Sequence, residues 1–206
     1  AQLTNVEQVE FVTDRKKVSL VVNDTFNGQP GTDFFDGGLG LDTVVYSGPI
    51  ERYTINKSGN RYVVSEPTGS DDTDYLSNIE RLQFSNGKVA LDVENGNAGE
   101  AAKLIGALLG PTFVKDKASS DAIATLGIAT PLFLNLAGSN SPIDFVKQVF
   151  TNVVGRAPTP SESSTYVSML DAGTSQSALA LMAAHTELNA ARINLVGLIQ
   201  HGLDFA

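Results

Sequence analysis

Residues Asn23–Val45 read NDTFNGQPGTDFFDGGLGLDTVV. Aspartates stand at 24, 33 and 42, nine residues apart, and each lies two residues before a large apolar side chain: Phe26, Phe35 or Val44. A helix repeats its faces every ~3.6 residues and a strand every ~2, so this period belongs to neither element alone. In register the stretch becomes SLVVNDTFN (19–27), GQPGTDFFD (28–36) and GGLGLDTVV (37–45). The pattern predicts short strands joined by glycine turns. Glycine reaches backbone conformations closed to other residues and lets carbonyls turn inward. Aspartate supplies a hard anionic oxygen of the kind Ca²⁺ prefers.

The third unit carries G-G-x-G-x-D-x-U-x at Gly37, Gly38, Gly40, Asp42 and Val44. The second keeps Gly28, Gly31, Asp33 and Phe35 but has Gln29 at the second glycine, and the first keeps only Asp24 and Phe26. This stretch resembles the RTX (hemolysin-type) calcium-binding family, whose repeats stack as a β-roll. The resemblance implies Ca²⁺ between turns, with Asp33 and Asp42 as ligands and the carbonyls of Gly28, Gly31, Gly38 and Gly40 nearby. Asp36, in the ninth position, is a further ligand or an exposed residue. Asp42 is expected to matter most and Asp24, whose glycines are lost, to be a structural relic, with room for one ion. The alternative is a worn roll end that caps a fold without metal. Asp71, Asp72 and Asp74 make a second acidic loop that binds an ion or is solvated, and solvation is preferred.

The charge follows the same division. Of 206 residues, 23 are acidic and 14 basic, for a net −9; residues 1–97 hold 15 of the acids against 8 basic residues. Such a balance argues against a nucleic-acid partner, which calls for a basic footprint. Clustered carboxylates repel unless they are solvated or neutralised by a cation. No cysteine is present, so disulfides and thiolate sites are excluded. No run of apolar residues is long enough to span a bilayer, and the opening AQLTNVEQVEF does not read as a signal peptide.

Up to Asn97 the chain reads as strands. Tyr53–Ile55 and Tyr62–Val64 flank Ser58-Gly59-Asn60 as a hairpin, and RLQFSNGKVAL predicts another whose turn takes positive φ angles from Asn86-Gly87. LTNVEQVEF (3–11) repeats as LSNIERLQF (76–84), and both look like the segments that flank RTX rolls. Only the second copy follows an acidic segment, so the chain is expected to be cut from a longer protein.

Beyond Asn97, taken as an N-cap, the pattern becomes helical. Ser141-Pro142 opens a helix with the stripe Ile143, Val146, Val149, Phe150 and Val153, closed by Gly155. Thr159-Pro160 with Glu162 predicts a capping box, Gly173 closes that helix, and two more are expected over 175–184 and 186–200. IDFVKQVFTNVVGRAPTPSESSTYVSMLDAGTSQSALALMAAHTEL resembles the phycobilisome-linker-like helical family (domain of unknown function 4214), through Phe145-Val146, Phe150, Asn152 to Arg156, Pro158, Tyr166, Leu170, Gly173 and Ser175. Val167 stands where the family often has Trp, and Thr159 where it often has Asp. The resemblance implies helical architecture and a place beside RTX repeats, with no catalytic role. Arg156 is expected to cap nearby carbonyls rather than hold a ligand anion. The terminal LDFA resembles the C-termini of type I secretion substrates.

The expected fold is α+β: a short parallel β-roll with β-hairpins over 1–97 and a small all-α bundle over 98–206. HExxH, GxSxG and phosphate-loop motifs are absent, and His185 and His201 are not at a helical ligand spacing. The expectation is therefore a non-enzyme: a calcium-binding C-terminal region of a large secreted or cell-surface bacterial protein. Its roles would be adhesion, surface-layer assembly or type I export. Its partners would be calcium and a surface glycan or another surface protein. Two alternatives are an accessory module of an exported hydrolase and a carbohydrate-binding module using Tyr46, Tyr53 and Tyr62 as exposed aromatics.

Overall fold

The computed structural model describes residues 8–11, 16–19, 21–67, 73–114, 137–139 and 141–205. Its sheets and helices make an α+β fold. Two compact units divide the chain: Ala1–Asp92 with Ile199–Leu203, and Val93–Leu198 with Asp204–Ala206. The division falls before the 97/98 boundary read from the sequence, and a C-terminal segment returns to the first unit. Asp71 and Asp72 lie outside the described residues.

The strands are β1 (Gln8–Phe11), β2 (Lys16–Ser19), β3 (Thr25–Asn27), β4 (Phe34–Asp36), β5 (Thr43–Val45), β6 (Thr54–Ser58), β7 (Arg61–Ser65), β8 (Thr73–Ser77), β9 (Arg81–Phe84), β10 (Gly87–Ala90) and β11 (Leu203–Phe205). β1 and β2 form an antiparallel pair; the larger sheets run β11-β10-β9-β5-β3 and β4-β8-β7-β6. The nine-residue units sort into these two sheets by turns. β3 and β5 pair in parallel with Phe26 opposite Val44, and β9 continues the stack with Leu82 opposite Val44. β4, between them in sequence, pairs in parallel with β8 in the other sheet, with Phe35 opposite Leu76. One coil of the roll therefore takes two units. Val44, Leu76 and Leu82 are all but inaccessible, and Phe26 and Phe35 pack against the core they form. Full burial, as at Val44, Leu76 and Leu82, contributes about 1.5–3 kcal/mol per side chain.

The two nine-residue copies both lead into hairpins, β1–β2 and β9–β10. The second hairpin differs from expectation. Phe84 pairs with Gly87, so Ser85 and Asn86 form the loop, and neither Asn86 nor Gly87 has positive φ. The β6–β7 hairpin turns at Gly59, with φ +62°.

The returning segment closes this unit. The Tyr62 hydroxyl donates to the Ile199 carbonyl at 2.6 Å, with the Leu91 carbonyl 3.1 Å away. Gln200 Nε2 donates to Lys57 O at 2.8 Å, and His201 Nδ1 lies 2.9 Å from Ile55 O. A carbonyl only accepts, so Nδ1 carries the proton of that contact. Two carbonyls of the edge strand β6 are thereby occupied, which blunts an edge open to strand addition. Gly202, at φ +83°, fits where a Cβ would lie 2.3 Å from Val89 Cγ1.

The second unit holds α1 (Asn97–Leu108), α2 (Pro111–Val114), α3 (Pro142–Val154), α4 (Pro160–Asp171), α5 (Gln176–Ala184), α6 (Glu187–Arg192) and α7 (Leu195–His201), whose last turn belongs to the first unit. Ser141, Thr159, Ser175 and Thr186 cap as their residue types require, and Thr159–Glu162 is a full capping box. Gly96, not Asn97, precedes α1. Buried Asn152 donates to the Ala107 and Leu108 carbonyls at 3.1 and 2.8 Å, satisfying the end of α1. The helix expected over 186–200 is two helices, broken where Asn194 adopts φ +56°.

Candidate functional site

The acidic residues of the roll stand in two columns, one at each corner where coils turn. At the first corner the loops before β3 and β5 lie against each other. Val22 N–H donates to Leu39 O at 3.0 Å, Leu41 N–H to Asn23 Oδ1 at 2.8 Å, and Asp24 N–H to Asp42 Oδ1 at 2.6 Å. The approach requires glycine, because a Cβ on Gly40 would lie 2.0 Å from Val22 O. The next layer repeats the device with a longer acid: Asp42 N–H donates to Glu80 Oε2 at 2.9 Å. Asn78, at φ +50°, takes a conformation that glycine takes elsewhere, and its Nδ2 donates to Asp36 Oδ1 at 2.7 Å.

The electrostatics of this corner are those of crowded acids. Asp42 is fully buried. Burial pushes the Glu80 carboxyl above its ordinary value of 4.5. The Asp42 N–H pulls it down, the Asp42 and Asp92 charges push it up again, and Arg81 opposes them. Arg81 is itself paired with Asp92. Asp24 Oδ2 is buried without a hydrogen-bond partner.

The second corner is built from Asp33 and Asp74. Gln29 N–H donates to Asp33 Oδ2 at 2.9 Å, and Asp33 N–H to Asp74 Oδ1 at 2.9 Å. Asp74, only 1% exposed, accepts from the Tyr46 hydroxyl on Oδ2 at 3.0 Å.

Of the residues read as ligands, the fold thus brings together Asp24, Asp42, Gly38 and Gly40 at one corner and Asp33, Gly28 and Gly31 at the other. Asp33 and Asp42, adjacent in the repeat, belong to different columns. Asp36 is exposed and accepts from Asn78 and, at 3.3 Å, from Gly38 N–H. Gly31 and Gly38 use positive φ, at +103° and +77°. Gly28 serves packing: a Cβ there would lie 3.0 Å from the Tyr46 ring. Among the described residues, no three acidic or histidine side chains group closely enough to hold a metal by themselves.

The sequence pattern did not place Asp74, read as binding an ion or solvated with solvation preferred, or Glu80 in these columns, nor Tyr46 beside Asp74. The signal for the acids was present. Asp74 precedes Leu76 and Glu80 precedes Leu82 by the same two positions that separate Asp24, Asp33 and Asp42 from Phe26, Phe35 and Val44. The β6–β7 hairpin interrupts the nine-residue spacing and hides it.

The aromatics proposed for glycan stacking are not exposed. Tyr46 and Tyr62 are buried and Tyr53 is half-buried, packed on Tyr46 and Phe84 at 5.0 and 5.1 Å between centroids. Arg156 makes a two-pronged pair with Glu162, at 2.9 and 2.7 Å, besides reaching Ala157 O. The Arg156 guanidinium, first among its partners, holds the Glu162 carboxyl down to about 2. His185 Nε2 meets Glu100 Oε2 at 2.6 Å. In the helical unit a cavity of about 200 Å³ is lined by apolar side chains including Val149, Phe150, Leu179 and Met182, without a titratable acid or histidine. Among the described residues no helix is long and apolar enough to cross a membrane. Compared with protein-family models, with curated proteins and with solved structures, the chain matches none of them.

Proposed function

We propose that the first unit is a short calcium-organised roll and that the chain is a non-catalytic region of a secreted or cell-surface protein, ordered by extracellular calcium. The observation that carries this reading is Asp24 Oδ2, buried with no hydrogen-bond donor, on the residue whose N–H is bonded to the Asp42 carboxylate and which faces the turn of Gly38 and Gly40. A buried carboxylate oxygen without a donor is costly, and a cation is the partner that answers it. Ca²⁺ takes roughly six to eight oxygen ligands, so two carboxylates need carbonyls from the same turns to complete a shell. Asp24 and Asp42 would hold the ion, and the Gly38 and Gly40 turn would supply backbone oxygen. The ion would supply charge neutralisation and tie adjacent coils together.

Binding of this kind is coupled to folding, because the unfolded chain offers no preformed site. At low calcium the acid-rich half repels itself, and calcium at extracellular levels orders it. Resemblance of the repeats to the RTX family and of the helical half to the phycobilisome-linker-like family supports a place in an exported bacterial protein, with adhesion, surface assembly or type I export as its role. The test is calorimetric titration with calcium chloride together with melting in EDTA and in calcium. Binding heat and a raised melting temperature are expected; no heat with an unchanged melt removes the reading.

A further inference from the structure

We propose that the Tyr46 hydroxyl occupies, at the Asp33–Asp74 corner, the role that a cation has at the Asp24–Asp42 corner, so that the roll is ion-dependent on one side only. The inference rests on the calcium reading above. Asp74 is almost wholly buried, and both of its oxygens are answered by protein donors: Oδ1 by the Asp33 N–H at 2.9 Å and Oδ2 by the Tyr46 O–H at 3.0 Å. Hydrogen bonds to a charged acceptor are roughly twice as strong as neutral ones, so the phenol answers the buried Asp74 oxygen without an ion.

Several features of this chain make the substitution fit. The Tyr46 ring is held in a stack with Phe84 at 5.4 Å and 14°, and it lies under Gly28, where any side chain would press on it. Gln29 and Pro30 stand in the turn where the better-preserved unit has Gly38 and Leu39. The Gln29 N–H is already bonded to Asp33 Oδ2. At the first corner Asp24 Oδ2 has no such donor.

The experiment compares the full chain with Tyr46→Phe and Asp74→Asn by calcium titration and by melting in EDTA and in excess calcium chloride. Both variants should keep the wild-type stoichiometry and a Kd within a factor of about two, while melting lower by equal amounts in the two buffers. Loss of a calcium equivalent, or a Kd weakened more than about tenfold, in either variant overturns the proposal. So does a Tyr46→Phe protein that melts like the wild type. Should Asp74→Asn not fold, Tyr46→Phe decides alone, since it removes one oxygen and leaves the ring. Absence of calcium heat in the wild type overturns the calcium reading itself, whereas failure of this inference shows only in the variants of a wild type that binds.

Discussion

Phe26 stands opposite Val44 across two parallel strands, and the partner of Phe35, midway between them in sequence, is Leu76 in the other sheet. Alternate repeats stack, and neighbouring repeats do not. The aspartates obey the same rule, so Asp24 lies in register with Asp42 and the two should act as a pair.

Replacing Asp42 with Ala should abolish calcium binding and also weaken the fold in EDTA. The Asp24 N–H loses its acceptor, at a cost of about 1–3 kcal/mol. Asp24→Ala should lose calcium binding too, yet in EDTA it should cost little, because it removes a buried oxygen that lacks a donor. Asp33→Asn should leave the calcium affinity unchanged. Titration calorimetry and urea unfolding with EDTA check the series; unaltered binding in Asp24→Ala would show that the two aspartates do not share an ion.

Gly40→Ala and Gly31→Ala should separate steric clash from backbone strain. At Gly40 the new methyl meets backbone, 2.0 Å from Val22 O, so the coils must part; a loss beyond about 3 kcal/mol is expected. At Gly31 nothing lies within 4 Å of the methyl and the cost is the φ of +103°, about 1–3 kcal/mol. Urea midpoints of the two variants in one buffer give the comparison.

Glu80 should give the roll a pH dependence opposite to that of an ordinary ion-paired acid. Its carboxyl is raised above 4.5 by burial and by Asp42 and Asp92, so the fold favours the neutral form. That contribution is fully present below 4.5 and is lost as pH rises through the folded value. In EDTA, Glu80→Gln should therefore be more stable than the wild type near neutrality, and the advantage should vanish on acidification. Urea unfolding across that range tests it, and an advantage independent of pH would exclude the acid's charge as the cause.

Gln200→Ala combined with His201→Ala should loosen the covered edge of β6. Hydrogen exchange at Ile55 and Lys57 should quicken relative to β7, which lies inside the sheet. Unchanged exchange would mean that the rest of the returning segment suffices.

Much of this architecture was legible in single residues. Ser141, Thr159 and Gly155 marked helix ends because capping is local chemistry. An acid two residues before an inward apolar side chain marked every rung of both columns, Asp74 and Glu80 included. What single residues could not tell was which rungs meet, because stacking follows a coil of two repeats and the β6–β7 hairpin interrupts the count. Tyr46 carried no such mark, since its reach to Asp74 depends on the packing of Gly28 and Phe84. The break at Asn194 was hidden for a related reason. Its positive φ opposes helix propensity only weakly in an asparagine, and the Asn194 side chain lies over Gly197, where a Cβ would meet it at 2.1 Å.

The Tyr62–Ile199 bond joins residues 137 positions apart. The segment that closes the β-unit thus comes from nearly the last described residues, and folding of that unit must close a very long loop. Closure entropy rises only slowly with loop length, so the final stability suffers little. The rate is affected more, because contacts between distant positions slow the search.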